Sequence, residues 1–469
     1  MSELYNQCEL KNKASSSMTS GYVTSVPTLY LKSQQVNRSS VENYRPVSLT
    51  SMYGKVLEKI IKEKIEMFLM ENNLITNTQH GFKKGSSCLS NLLICQNSIV
   101  SMLDERSPVD IIYLDFQKAF DKVPHEYLMF KIRELGIVGK IADWIRNWLD
   151  GRSQRVGING TYSEWEKVTS GVPQGSILGP LLFTIFTNDF EEGVNNEVLK
   201  FADDSKLWGR VETDEERTGL QKDLDRLGDW SVRNKMPFNV SKCKVMHIGK
   251  KNIKYKYKIM SQELLETTEE KDLGVFFTDT YKSSTNCNKV SKKANKTIGL
   301  ITRYITNKGA EGMLILYKTL IRPVLDYCVP VWRPYRKKDM LKVEKVQKRF
   351  TKMIEGYETK SYEQRLIDLR ITTLEERFYR ADMIQVFKIL NDNRNIFPIN
   401  FLELSNRAGR KNSLKLFKRR SNGDISKYCF ASRVVDLWND LPDAVVLSAD
   451  VNVFKDNLDK FMRESRGQL

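Results

Sequence analysis

Cysteine is sparse in this sequence. Seven in 469 residues, an odd count with no C-x₂-C pair, leave no basis for a disulfide framework or a zinc ribbon. Histidine is sparser still. His80, His125 and His247 have no Cys or His partner at zinc spacing, so all three read as structural or surface residues. No apolar run approaches the roughly 18 residues that a membrane-spanning helix needs. The longest candidate, residues 177–186, contains Gly179 and Pro180. The N-terminus lacks the charged-then-apolar pattern of a secretory signal, so secretion is not expected. No G-x-x-x-x-G-K-[ST] phosphate loop occurs, and nothing repeats at a solenoid period. What remains is 41% hydrophobic and 10% aromatic, the composition of a folded chain. At about 150 residues per domain its length suggests roughly three units.

What the chain has in excess is positive charge, a net +17 that points to an anionic partner. Its location says more than its total. Residues 281–308 hold seven Lys or Arg and no acid, 333–360 hold ten against four acids, and 407–420 hold seven and no acid. The rest of the chain nets −3. Any one such run reads most simply as a solvated face. Three in one half, with Tyr304, Trp332, Tyr335 and Phe350 nearby, favour a nucleic-acid track. No lipidation signal accompanies the charge to favour a membrane surface.

Residues 1–41 are polar with little periodicity and read as a poorly ordered lead-in. From Ser51, the spacing of Tyr53, Val56, Leu57, Ile60, Ile61, Ile65 and Phe68 predicts a helix, and Leu89, Leu92, Leu93, Ile99 and Leu103 predict another. Between them lies a basic turn, Gln79-His80-Gly81-Phe82-Lys83-Lys84-Gly85. Residues 111–116 read as a buried strand and 199–208 as a hairpin, and Asn159-Gly160 marks a second hairpin. Ser176 can cap the apolar helix that follows it. Leu220, Leu224, Leu227 and Trp230 mark a further helix, and 242–248, 255–259 and 273–277 alternate like strands. Beyond about 281 the reading is mainly helical. The middle of the chain is thus α+β.

Two acidic sites interrupt apolar strands. Asp115 ends one, and Asp203-Asp204 sits within Lys200-Phe201-Ala202-Asp203-Asp204-Ser205. A carboxylate at the end of a buried strand is costly unless paired or bound to metal. Alternation puts Ile111, Tyr113 and Asp115 on one face, and Leu199, Phe201 and Asp203 on one face of the other strand. Asp204 then points away unless the turn redirects it. If the strands are neighbours, the carboxylates converge into a set suited to two hard divalent cations, which can clamp a phosphoryl transfer. An Asp-Asp pair alone is more often a turn.

In order the chain carries Asn43-Tyr44-Arg45-Pro46-Val47-Ser48-Leu49, the turn from Gln79, Tyr113-Leu114-Asp115-Phe116-Gln117-Lys118-Ala119-Phe120-Asp121, Ser170-Gly171-Val172-Pro173-Gln174-Gly175-Ser176-Ile177-Leu178-Gly179-Pro180, Phe201-Ala202-Asp203-Asp204, Phe238-Asn239-Val240-Ser241-Lys242-Cys243 and Lys271-Asp272-Leu273-Gly274-Val275. This series closely resembles the reverse transcriptases of non-LTR (LINE-type, jockey-like) retrotransposons, from about Tyr44 to the C-terminus. The resemblance implies an α+β right-hand polymerase: fingers and an antiparallel-sheet palm over 42–280, then a basic helical thumb and C-terminal region over 281–469. It implies an RNA-directed DNA polymerase that adds dNTPs to a DNA primer on an RNA template, with two Mg²⁺ ions or Mn²⁺ as a substitute. The alternatives are an inactive remnant that still binds RNA or DNA, and, more weakly, another two-metal enzyme such as a nuclease.

By the same resemblance Asp115, Asp203 and Asp204 are the catalytic metal-binding aspartates, with the Phe116 carbonyl as a further ligand. Phe120 would pack beneath the nucleotide sugar and exclude a 2′-hydroxyl, where composition alone would read a core Phe. Gln174 and Gly175 would face nucleotide and template, since Gly allows close backbone approach and an amide both donates and accepts. Arg45 and Lys83 would meet the triphosphate or template, although Lys lacks the bidentate fork of the Arg that many relatives carry at Lys83. Lys242 would protonate the leaving pyrophosphate or else be a solvent-facing lysine. Leu273-Gly274-Val275 would steady the primer end. Full-length relatives carry an upstream nicking endonuclease for which there is no room before Tyr44, so the lead-in is expected to be eroded or truncated. Nuclear action is the family expectation.

Overall fold

Ser51 starts the first long helix. Its hydroxyl accepts the Gly54 N–H at 3.0 Å and caps α1 (Met52–Glu71). The computed structural model describes residues 24–25, 28–31, 44–48, 50–155, 157–158, 161–392, 394–405 and 412–466. Of the lead-in expected over 1–41, only 24–25 and 28–31 fall among these. The predicted stripe of α1 buries Ile61, Ile65 and Leu69, but Tyr53 and Val56 stay exposed because the first turns run past the core. A capping box between Ser87 and Ser90 opens α2 (Cys88–Asp104).

The strand predicted at 111–116 is β1 (Val109–Asp115), the centre of a five-stranded sheet among the described residues. After α3 (His125–Glu134) and α4 (Gly179–Phe186), the hairpin β2 (Glu197–Phe201) and β3 (Asp204–Arg210) pairs with it. Then come α5 (Asp214–Arg233), β4 (Lys244–Ile248) and the short β5 (Leu265–Glu266). The order is β5-β4-β1-β3-β2. All pairs are antiparallel except β5 on β4, which corrects the antiparallel expectation at that edge. The physical reason is a second reversal: the small hairpin Lys258–Ile259 with Gln262–Glu263 turns the chain back before it reaches β4 again.

Two further strand readings change. Only 258–259 of the stretch 255–259 is strand. The stretch 273–277 is not one strand. It spans the turn between β6 (Glu269–Asp272) and β7 (Val275–Thr278), where Leu273 and Gly274 take φ of 43° and 91°. The tip of the Asn159-Gly160 hairpin lies outside the described residues; its flanks Gly157–Ile158 and Thr161–Tyr162 pair.

Alternation along β1 feeds two cores. Ile112 and Leu114 join Leu128, Phe183, Leu207, Leu224 and Trp230 from the helices on one side. Val109 and Ile111 join Cys95 and Ile99 of α2 on the other. The next turn of α2 supplies Leu92 and Leu93 to a third core, built with α6 (Ser284–Tyr304), α7 (Lys337–Lys352) and the C-terminal helices through Val343, Phe378, Trp438 and Phe454. Within this helical region, a π-helical turn at Tyr317–Ile321 precedes Arg322-Pro323. A proline lacks the N–H and crowds the carbonyl four residues back, so the ladder widens there. No helix among the described residues is long and apolar enough to cross a membrane.

Candidate active site

The hairpin settles which carboxylates meet. Phe201 pairs with Asp204, so Ala202 and Asp203 form a two-residue turn, with Ala202 at φ 57°. Across the other edge Asp204 pairs with Asp115. Directly paired residues point to one face, so Asp204 and Asp115 rise together, and Asp203 stands beside them in the turn. Simple alternation puts Asp203 with Asp115 and turns Asp204 away. The two-residue turn redirects both.

The cluster is strongly anionic. Asp204 keeps a path to solvent, but the surrounding protein strips part of its hydration, and Asp203, Asp272 and Asp115 add repulsion. Its carboxyl is pushed up to about 6. Asp272 belongs to β6 and forms a buried ion pair with Lys206 of β3. Burial pushes the Lys206 ammonium down, but Asp272, Cys95 and Asp204 together outweigh it and hold the group above its ordinary value. Lys242 lies in the turn before β4, with Nζ 3.0 Å from Asp115 Oδ2. These groups open onto a groove of ≈ 410 Å³ that Tyr113, Ser241, Lys244 and Leu273 also line.

The neighbours differ in how they meet the cluster. Gln117 N donates to Pro237 O and Asn239 N to Asp115 O, which leaves the Phe116 carbonyl outside that ladder. The Phe116 ring stacks on Phe238 at 4.6 Å. Phe120 is half-buried, stacked on Phe183 at 4.7 Å, with Phe82 edge-on at 6.1 Å. The Gln174 carbonyl accepts Ser48 N at 2.7 Å, and Gly175 is exposed at φ 108°, where a side chain would be strained. Ser176 Oγ accepts Gly179 N, the first N–H of α4, at 3.0 Å, but the cap position is Leu178, which makes no side-chain bond. Arg45 lies in the strand Tyr44–Val47, but its side chain is outside the described residues. Lys83 is not drawn to the carboxylates: its Nζ donates to Thr76 O at 3.1 Å and Asn77 Oδ1 at 3.0 Å. Burial, then Lys200, pushes its ammonium below the ordinary value.

No three carboxylate, imidazole or thiolate groups among the described residues stand close enough to hold one ion. A Mg²⁺-like cation, however, takes one or two carboxylates and completes its shell with water and substrate phosphate. Asp115 and Asp204 with the nearby Asp203, and an unladdered Phe116 carbonyl, fit that donor set in kind.

Two buried groups escape sequence reasoning. Glu58, on the buried stripe of α1, accepts Ile177 N at 2.6 Å and Leu178 N at 3.2 Å beside the Gln174 loop. A lone acid on an apolar stripe is the available signal. Asp272 ends β6 just before the apolar residues of the turn and β7, and its charge there is the corresponding clue to the Lys206 pair.

A family model described as reverse transcriptase (RNA-dependent DNA polymerase) matches residues 32–275. The chain is 30% identical over 203 residues to the probable RNA-directed DNA polymerase from transposon BS of Drosophila melanogaster, covering 41% of this chain and 22% of that protein. It is 28% identical over 332 residues to the RNA-directed DNA polymerase from mobile element jockey of Drosophila funebris, covering 67% of this chain and 36% of that one. It therefore spans about a fifth to a third of these curated relatives. Among solved structures, apo telomerase from Candida tropicalis aligns over 78% of this chain and 66% of that chain, at 9% identity and a TM-score of 0.40.

Proposed function

This chain belongs to the reverse transcriptase (RNA-dependent DNA polymerase) family, and from that premise we propose that it extends a DNA 3′ end on an RNA template with dNTPs. We read it as the polymerase of a non-LTR retrotransposon, acting on chromosomal DNA and so in the nucleus. The observation that carries this reading is the register that sets Asp204 opposite Asp115, with Asp203 in the adjoining turn.

Divalent metals are general in this family, and two Mg²⁺ ions, or Mn²⁺ in their place, are the proposed cofactors. Bound between the carboxylates and substrate phosphates, they would supply charge neutralisation and activation of the attacking hydroxyl. Asp115, Asp203, Asp204 and the Phe116 carbonyl would hold them. Lys242, within hydrogen-bond reach of Asp115, would move toward the departing pyrophosphate and give it a proton. Phe120, backed by Phe183, supplies a firm aromatic wall under the sugar. Gln174 and Gly175 present an amide and a bare backbone, and Arg45 and Lys83 would add positive charge for the triphosphate or template.

The test is primer extension on an RNA template with the purified chain. Mg²⁺-dependent extension that Asp203→Asn abolishes is the expected result. Binding without incorporation would mark an inactive remnant, and strand cleavage without dNTPs would mark a nuclease; either overturns the reading.

A further inference from the structure

The turn Gln79-His80-Gly81 precedes Lys83 and has no part in the chemistry above, yet it is fastened to the hairpin that carries Asp203. We propose that Gln79 is a positioning residue for that turn: its amide oxygen holds the Ala202 N–H and thereby fixes where Asp203 stands relative to Asp204 and Asp115. This rests on the polymerase reading of the hairpin.

Gln79 is buried, and its Oε1 accepts two backbone N–H groups, Gly81 at 2.8 Å and Ala202 at 3.1 Å. The first bond shapes its own loop. The second crosses to the turn. In a two-residue hairpin the first turn residue directs its N–H away from the partner strand, and a buried N–H needs an acceptor. Ala202 also sits at φ 57°, a conformation that L residues adopt at a cost, so the turn needs outside support.

Neighbouring groups provide that support. Lys200 N donates to Thr78 O at 2.9 Å and His80 N to Lys200 O at 2.9 Å, so 78–80 runs as a parallel bridge along the edge of β2. Gly81 lies flat on the turn: a Cβ there would come 2.3 Å from Ala202 N. Below the turn, Lys200 Nζ is anchored on Thr187 O at 2.8 Å and on Glu191. Gln79 Nε2 finds no hydrogen-bond partner among the described residues, so the oxygen is the end that this site uses.

The variants are Gln79→Met, which keeps the shape and loses the acceptor, and Gln79→Glu, which keeps an acceptor oxygen. Hydrogen exchange of the Ala202 amide in the full chain is the first readout. Gln79→Met should speed it about tenfold or more while 198–200 stay protected. Extension kinetics are the second. Gln79→Met should lower kcat about tenfold or more, with the dNTP KM near wild type, when assayed well below its melting transition, which the two stranded amides lower. Gln79→Glu should recover most of both. Unchanged Ala202 protection in Gln79→Met, or a loss confined to KM or to melting temperature, overturns the proposal. A wild-type chain that never extends a primer overturns the polymerase reading instead, and the exchange measurement still decides whether Gln79 holds the turn.

Discussion

A carboxyl pushed up to about 6 takes a proton more readily in the folded chain than in the unfolded one, where it titrates near 3.8. Ionising Asp204 therefore works against folding. The penalty is absent below the unfolded value, grows as pH rises toward 6, and is complete above it. Asp204→Asn should accordingly melt higher than wild type at about pH 7.5, with the gap closing as the pH falls to about 4. The same substitution should abolish extension. Thermal melts across a pH series check this, and a variant that melts lower at neutral pH would refute the carboxylate crowding. At this scale the aspartates were legible because charge in an apolar strand demands a reason. Which of them faces Asp115 was not, since a two-residue turn shifts register in a way that period-two counting cannot see. Lys83 was legible as basic but not as a residue tied to Thr76 and Asn77.

Glu58 couples two elements. It projects from α1 and holds the last two backbone N–H groups before α4, while burial raises its carboxyl and those same bonds pull it back. Glu58→Ala would strand both amides in the core at about 1–3 kcal/mol each. Urea unfolding should show that loss, and the dNTP KM should rise as the Gln174 loop loosens; an unchanged midpoint would count against the contact. The helices themselves could be read from 3.6-residue spacing, and the structure adds side-chain caps at Ser51, Ser87 and Thr213. The β6–β7 hairpin could not. Leu273, Val275 and Phe277 mimic a strand, and the turn depends on a distant brace, Tyr327, whose hydroxyl donates to Leu273 O at 2.8 Å.

Over the whole molecule the charge divides as the composition suggested. Lys292, Lys293 and Lys296 are exposed along α6, and Lys337, Lys338, Lys342 and Lys345 along α7, which packs against it. The third basic run falls partly outside the described residues. Replacing Lys292, Lys293 and Lys296 with Gln should weaken RNA binding and flatten its salt dependence by about 0.7–0.9 in log–log slope for each phosphate left unneutralised. Filter binding across a salt series measures this; an unaltered slope would mean a merely solvated face. The basic excess was legible from counting, but its arrangement on two packed helices was not, because it depends on α6 and α7 burying Cys287, Ile298 and Val343 between them.

The sharing of α2 between cores has a consequence in time. Besides Leu92 and Leu93, this helix offers Gln96 to Val331 O at 3.0 Å, and Asp104 accepts Asn422 N at 2.8 Å across 318 residues of chain. During synthesis at about 5–20 residues per second, that partner emerges roughly 15–60 s after Asp104 does. The outer face of the helix is covered in stages, first when the segment around Val331 emerges and last when Asn422 does. The nascent protein thus carries a sticky, half-finished surface, and its yield in a cell depends on what shelters those leucines until the last third of the chain is made.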